Sequence, residues 1–481
     1  MTLAWRGVAA AASSCLCALG AGMPSLEEIP NDTFFVMRPP VGGGAYCGDG
    51  SPYHFLVRKG TTNVNKVIVD FIGGGACWNE RCVNDNAAVQ GLSSTSFVMQ
   101  SAALLHGLTT SQASEIVNSM NLQVIGVSSE VQVADTATWT YIAVLYCTQD
   151  VHVGACTTTY QLPDGSANRT VHHNGAANAR AVMNWVYDNF PKPEVLAFMG
   201  CSAGASLAPV IEVMHAKSRY GADTTIVALG DSASNLLTDK FVMDGLPRWG
   251  PHAVFDEIPG FFLEGMPSNL HGDLTSTALS AVFSLYPDVQ FGYFTRTDDQ
   301  IQAYFANEMG GLIPSELDLD ARREFWNLHN LAMLEGLQAA NPNFRTFVAA
   351  GNDHCTTTFD HALQEPGFLA WLEDLLSGGA PPAVACSSCT LADVPGCDGV
   401  NGSGRIDDRC GVCGGSGTSC AARSVTAAQL SCAVDASEGD PEESAELPAS
   451  RSPGGARSAS WVCAGAVVCG WQIVRSLRFA Q

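Results

Sequence analysis

Five residues, Gly200-Cys201-Ser202-Ala203-Gly204, carry a G-x-S-x-G pattern, the arrangement that turns a serine hydroxyl into an acyl-transfer nucleophile. That chemistry needs the Oγ lifted clear of the backbone at a sharp strand-to-helix turn, and small residues on both sides of the serine permit the turn. The bare pattern arises by chance in glycine-rich chains, so its flanks decide its weight. Before it runs the apolar Val195-Leu196-Ala197-Phe198-Met199. After it, Ala205 to Ser218 reads as a helix with Leu207, Val210, Ile211 and Met214 on one face. A serine nucleophile also needs a base. His354, in Gly351-Asn352-Asp353-His354-Cys355, follows the strand-like Phe344–Ala350 late in the chain, where the order Ser, acid, His requires it. His152, His172, His173 and His215 precede the later strands or sit on helices, and His361 is the near competitor.

The acid has several candidates. Asp231 ends the apolar run after the elbow strand. Asp298 and Asp299 end the later run Val289-Gln290-Phe291-Gly292-Tyr293-Phe294. A carboxylate from the later strand is the commoner arrangement for holding the imidazole tautomer. Asp231 reads as hydrogen-bonding support or a helix cap, and Asp353 adjoins the histidine too closely to orient it. Gly73-Gly74-Gly75 directly follows the strand-like Val67–Ile72. Glycines there let backbone N–H groups face a developing oxyanion, so Gly74, Gly75 and Ala203 are the candidate donors.

The elements that must hold these residues are short apolar runs: 67–72, 122–127, 195–199, 225–229 and 344–350. Helical patterns separate several of them, such as Ala176–Phe190 with Val182, Trp185 and Val186 inward. Alternating strands and helices imply an α/β class, a doubly wound and mostly parallel sheet, with ligands gathered at the carboxyl ends of the strands.

Composition sets the compartment and excludes partners. The 481-residue chain is 46% hydrophobic, too apolar for a largely disordered protein. Its 24 Lys+Arg against 47 Asp+Glu give a net charge of −23, which argues against nucleic acid and anionic membranes. Residues 1–22 have the layout of a signal peptide: Arg6, the apolar Gly7–Leu19, then small residues. Eighteen cysteines and sequons at Asn31, Asn168 and Asn401 agree with a secreted, disulfide-bonded, glycosylated protein. Residues 23–380 read as the hydrolase domain, 381–421 as a cysteine-rich module, and 422–481 as a low-complexity, disordered tail. The apolar Trp461–Val474 is too short for a stable membrane span.

Several motifs carry a family resemblance. Tyr46-Cys47-Gly48-Asp49-Gly50-Ser51-Pro52-Tyr53-His54 resembles the C-x-DGS-x-Y-H opening of pectin acetylesterases, and Gly73-Gly74-Gly75-Ala76-Cys77-Trp78-Asn79 their GGGWCWN-like loop. Tyr146-Cys147-Thr148-Gln149-Asp150-Val151 is similar to a YC-x-x-DV segment in the Notum branch of that family. The elbow and the His354-Cys355 pair match as well. The family's acid lies in a D-x-x-Q frame, which Asp299-Gln300-Ile301-Gln302 fits and Asp298 does not. The resemblance implies an α/β-hydrolase-like carboxylesterase with Ser202, Asp299 and His354 as triad, no metal and no cofactor. It also implies a local Cys77–Cys82 disulfide bracing the glycine loop.

Ala76 stands where many members carry an aromatic, and Ala205 where they carry a second glycine, both near the acyl pocket. Cys201 and Cys355 read as structural or buried thiols. Seven cysteines lie in the first zone, so at least one is unpaired within it. Asp407-Asp408-Arg409-Cys410-Gly411-Val412-Cys413-Gly414-Gly415 resembles a D-x-C-G-V-C-G-G module of extracellular proteins, with an adhesive or positioning role toward an extracellular partner. The expected function is secreted serine carboxylesterase action on O-acyl, preferably acetyl, esters of a polysaccharide or glycoconjugate. The alternatives are a Notum-type protein O-deacylase taking a longer acyl chain, and a non-catalytic extracellular binding protein on a hydrolase fold.

Overall fold

The computed structural model describes residues 22–84, 135–234, 236–261, 273–315, 317–358 and 365–386, together with the single positions 398, 400 and 413. All fall within one of the two compact units into which the chain divides, Met1–Asp435. The expected strand at 122–127, the signal peptide up to residue 21, His361, nearly all of the cysteine-rich module and the tail lie outside the described residues.

One eight-stranded sheet organises the unit. Its strands are β1 (Phe34–Met37), β2 (Phe55–Arg58), β3 (Asn63–Phe71), β4 (Trp139–Val144), β7 (Val195–Cys201), β8 (Thr225–Asp231), β9 (Gln290–Arg296) and β10 (Phe344–Ala349). Their order is β1-β2-β4-β3-β7-β8-β9-β10. From β4 to β10 the strands run parallel, and β1 and β2 form an antiparallel edge. This is the mostly parallel, α/β-hydrolase-like arrangement expected. A separate hairpin pairs β5 (Cys156–Gln161) with β6 (Asn168–His173).

Composition explains the sheet's layering. Every residue of β4 and of β7 is buried, as a strand covered on both faces requires. Helices α1 (Gly175–Asn189) and α2 (Leu207–Tyr220) bury Val182, Trp185 and Val186, and Leu207, Ile211 and Met214, respectively. These are the inward positions their 3.6-residue spacing selects. Helices α3 (Gln300–Met309), α4 (Leu319–Ala340) and α5 (Phe368–Leu376) add to the scaffold; Phe368 and Trp371 pack on Phe347 of β10.

Two strand connections create the crevice. β4 pairs on one side of β3 and β7 on the other, so the chain reverses direction of travel at β3. Loops leaving β3 and β7 therefore part at a topological switch point. Register aligns the strand ends, with Phe71 opposite Gly200, Cys201 opposite Asp231, Asp231 opposite Phe294, and Ala349 opposite Arg296.

Candidate active site

Ser202 sits at that crevice with φ +55°, in the left-handed region that a serine rarely occupies. Residues Ser202–Ala205 form a 3-10 turn, and α2 starts at Leu207, two residues later than the sequence pattern suggests. The turn is possible only because its neighbours lack side chains. A Cβ on Gly204 would strike the carbonyl of Phe71, and one on Gly73 would lie 2.5 Å from Cys201 O and 2.9 Å from Ser202 Cβ. Gly73, the first residue of the glycine run, thus seats that loop against the backbone of Ser202.

His354 lies beyond β10, its Nδ1 2.8 Å from Asp299 Oδ2 and 3.0 Å from Oδ1. Asp299 is fully buried and caps α3: Oδ1 accepts from Ile301 N–H and Gln302 N–H, each at 3.0 Å, and Oδ2 accepts from Gln302 Nε2 at 3.0 Å. Gln302 also accepts from Ser234 N–H at 2.9 Å, so the last residue of the D-x-x-Q frame ties the carboxylate to the loop after β8. Asp298 instead points outward and pairs with Arg323 at 2.8 Å. The other ring nitrogen, His354 Nε2, is buried and has no hydrogen-bond partner among the described residues. His354 and Ser202 line one pocket together with Gly75, Ala76 and Ala203. Gly74, the third expected donor, is not among the residues lining it.

The histidine loop is held from below by buried polar groups. Asp231 Oδ2 accepts from Thr357 N–H and Thr357 Oγ1, each at 2.6 Å, and Ser232 Oγ accepts from Cys355 N–H at 3.1 Å. Burial raises the pKa of the Asp231 carboxyl against these hydrogen bonds. Asp231 therefore supports the loop rather than the imidazole. Arg296, at the end of β9, donates to Ala350 O at 2.5 Å and Glu365 at 2.8 Å. Nothing in its sequence setting singled Arg296 out.

Disulfides add covalent ties. Cys201 and Cys355 are joined across 154 residues, which corrects the reading of both as thiols. The bond links the residue before Ser202 to the residue after His354, a proximity that linear spacing cannot reveal. Cys77–Cys82 forms as expected, and Cys47–Cys147 is new. Cys156, Cys386 and Cys413 are disulfide-bonded too. Cys201, His354 and Cys355 bring their ligand atoms within 4.8 Å of one another, but the two sulfurs are already spent on each other.

The pocket itself is apolar. Beyond the catalytic candidates its lining includes Trp78, Val153, Leu207, Leu236, Leu237, Phe241, Leu246, Trp249, Phe255, Phe305, Met309 and Trp326, around a cavity of about 110 Å³. Trp78, Phe241 and Trp249 pack edge-to-face, with centroids 5.1 and 5.3 Å apart.

Residues 31–241 match the family model of pectinacetylesterases. The matched span contains the glycine loop and Ser202 and ends before Asp299 and His354. Among solved structures, the chain is similar to that of the Wnt deacylase Notum from Drosophila. That alignment is 15% identical, covers 74% of this chain and 97% of the other, and has a TM-score of 0.45. No curated protein matches the chain. No helix among the described residues is long and apolar enough to cross a membrane.

Proposed function

We propose that the chain is a secreted serine ester hydrolase of the pectin acetylesterase and Notum type, with Ser202, His354 and Asp299 as its triad. The observation that carries this reading is the Asp299–His354 pair at 2.8 Å opening onto the same pocket as a serine at φ +55°. The family match over residues 31–241 supports it independently.

The steps follow from the placement. Asp299 holds the imidazole with Nδ1–H toward itself, which leaves the Nε2 lone pair for the Ser202 proton. His354 Nε2 has no hydrogen-bond partner among the described residues of the free chain, and in this reading its contact with Ser202 tightens when substrate binds, as such catalytic hydrogen bonds often do. Ser202 Oγ attacks the ester carbonyl, and backbone N–H groups of the glycine loop and of Ala203 receive the oxyanion. Gly75 and Ala203 flank the serine in the pocket, while Gly74 takes part through the peptide it shares with Gly75. The imidazolium protonates the leaving alcohol, and water then cleaves the acyl-enzyme. The Asp299 charge stabilises each imidazolium.

The lining supports an acyl group longer than acetyl. Acetyl buries one methyl and has little use for so many large apolar side chains, whereas each further buried CH2 contributes about 0.8 kcal/mol. This favours the deacylase alternative, on a protein or a glycan, over acetyl removal. Disulfides on both sides of the site, with exposed sequons at Asn31 and Asn168, support secretion. A panel of p-nitrophenyl esters from acetyl to dodecanoyl, run with wild type and Ser202→Ala, tests the reading. The expected result is kcat/KM rising with chain length and lost in the variant; a Ser202→Ala rate equal to wild type would overturn it.

A further inference from the structure

The loop that follows β4 carries more backbone strain than its sequence needs for a connection. Gln149, Val151 and His152 have φ of +58°, +50° and +63°. For a β-branched valine that conformation is a genuine outlier, and it persists only where surroundings over-determine it. Here they do. The buried Asp150 carboxylate accepts from Thr148 Oγ1 at 2.6 Å, His152 N–H at 3.2 Å and Gly175 N–H at 2.8 Å, and Cys147 is bridged to Cys47.

The loop spends its polar groups on one target. Tyr146 O–H donates to Gly75 O at 2.9 Å while accepting from Val151 N–H at 2.8 Å. Gln149 Nε2 reaches Gly74 O at 3.5 Å, and Gln149 O accepts from Cys77 N–H at 2.9 Å. His152 Nε2 donates to Ile72 O at 2.9 Å. Burial lowers the His152 pKa to about 4, so the ring stays neutral and keeps that proton assignment at ordinary pH. Four contacts therefore run from residues 146–152 to residues 72–77. Two of the four end on carbonyls of the glycine loop, Gly74 and Gly75, and a third on Ile72 just before it.

A trans peptide sets its C=O and N–H on opposite sides. Holding the carbonyls of Gly74 and Gly75 on the Tyr146 side turns the N–H groups of Gly75 and Ala76 away from it, and both residues line the Ser202 pocket. Glycines cannot set these planes themselves, since they lack the Cβ that would restrict them.

We propose that residues 146–152 form a strained template that aims the oxyanion donors, with Tyr146 as the positioning residue for the Gly75–Ala76 peptide, whose N–H on Ala76 joins those of Gly75 and Ala203 as a donor. This rests on the reading of Ser202 as nucleophile. The test is Tyr146→Phe, which keeps the buried ring and removes the hydroxyl. Active-site titration with a fluorophosphonate counts working sites, and kcat is expressed per titrated site. The template predicts kcat per site lower by at least about tenfold, toward the roughly 10²–10³ of a lost oxyanion donor, with KM within about twofold. A boronic acid transition-state analogue should weaken by the same factor as kcat/KM. Should Tyr146→Phe fail to fold, Gln149→Leu, which keeps the backbone contact to Cys77, carries the same test with a smaller fall in kcat. A purely structural tyrosine would lower the active fraction or Tm and leave kcat per site unchanged, and that result overturns the template. A wild-type chain that takes no label at Ser202 overturns the nucleophile reading and the template with it.

Discussion

Replacing Asp299 with asparagine isolates the task proposed for the acid, because the surrounding donors leave the amide no good orientation. Oδ1 accepts two backbone N–H groups at 3.0 Å, and Oδ2 faces Gln302 Nε2 at 3.0 Å and His354 Nδ1 at 2.8 Å. With the amide oxygen at the Oδ1 position the helix cap survives, but the new NH2 meets two donors. His354 escapes by shifting its proton to Nε2, which makes Nδ1 an acceptor and removes the lone pair that Ser202 needs. With the amide reversed, the cap loses two hydrogen bonds at about 1 kcal/mol each, plus the cost of buried unpaired donors. The first orientation is cheaper and leaves the wrong tautomer. A wrong tautomer costs about 10⁴ in kcat in serine hydrolases, about 5.4 kcal/mol at 1.36 kcal/mol per decade. The assay is p-nitrophenyl ester hydrolysis per folded chain, with folding checked by thermal melting. A fall of 10³–10⁴ with KM little changed is expected. Asp299→Asn within tenfold of wild type would refute the argument, and an equal loss in Asp298→Asn would point to the wrong carboxylate.

Three further outcomes follow from named contacts. Ala76→Trp, which fills part of the pocket lining, should cut kcat/KM for octanoyl esters by more than tenfold and change acetyl esters by less than threefold, read from the same ester panel. Removing the Cys201–Cys355 tie as a double alanine variant should cost about 2–5 kcal/mol of stability, measured by urea unfolding, because it releases a 154-residue loop. Burial raises Asp70, hydrogen-bonded by Tyr141, from 3.8 to about 7. A raised folded value means that this group's stabilisation is complete below pH 4 and is lost as pH rises through 7. Asp70→Asn should therefore gain in Tm relative to wild type between pH 4 and 7, and a constant difference across that window would contradict the assignment.

Much of the site was legible because its chemistry demands local patterns. β3, β7, β8 and β10 fall on the apolar runs that the sequence marks, and α1 covers 175–189 where the pattern implies 176–190. The serine announces itself through its glycines, and the D-x-x-Q frame separates Asp299 from Asp298. What escaped depends on contacts between distant segments. Arg296 supports the histidine loop from another strand, and Cys201 meets Cys355 only after the four parallel strands β7 to β10 are aligned. The edge strands β1 and β2 and the β5–β6 hairpin are too short to stand out against neighbouring loops. The left-handed Val151 runs against its own propensity, so no local reading would place it there. The pocket's apolar lining also draws on residues from Trp78 to Trp326, which no single motif displays.

The central claim is that Ser202 is the acyl-accepting nucleophile. Reaction with a fluorophosphonate followed by peptide mass mapping tests it most directly. One label per chain on Ser202, with ester hydrolysis lost in proportion to labelling, is the predicted result. Label on another residue, or full hydrolysis by a chain fully labelled at Ser202, would contradict it.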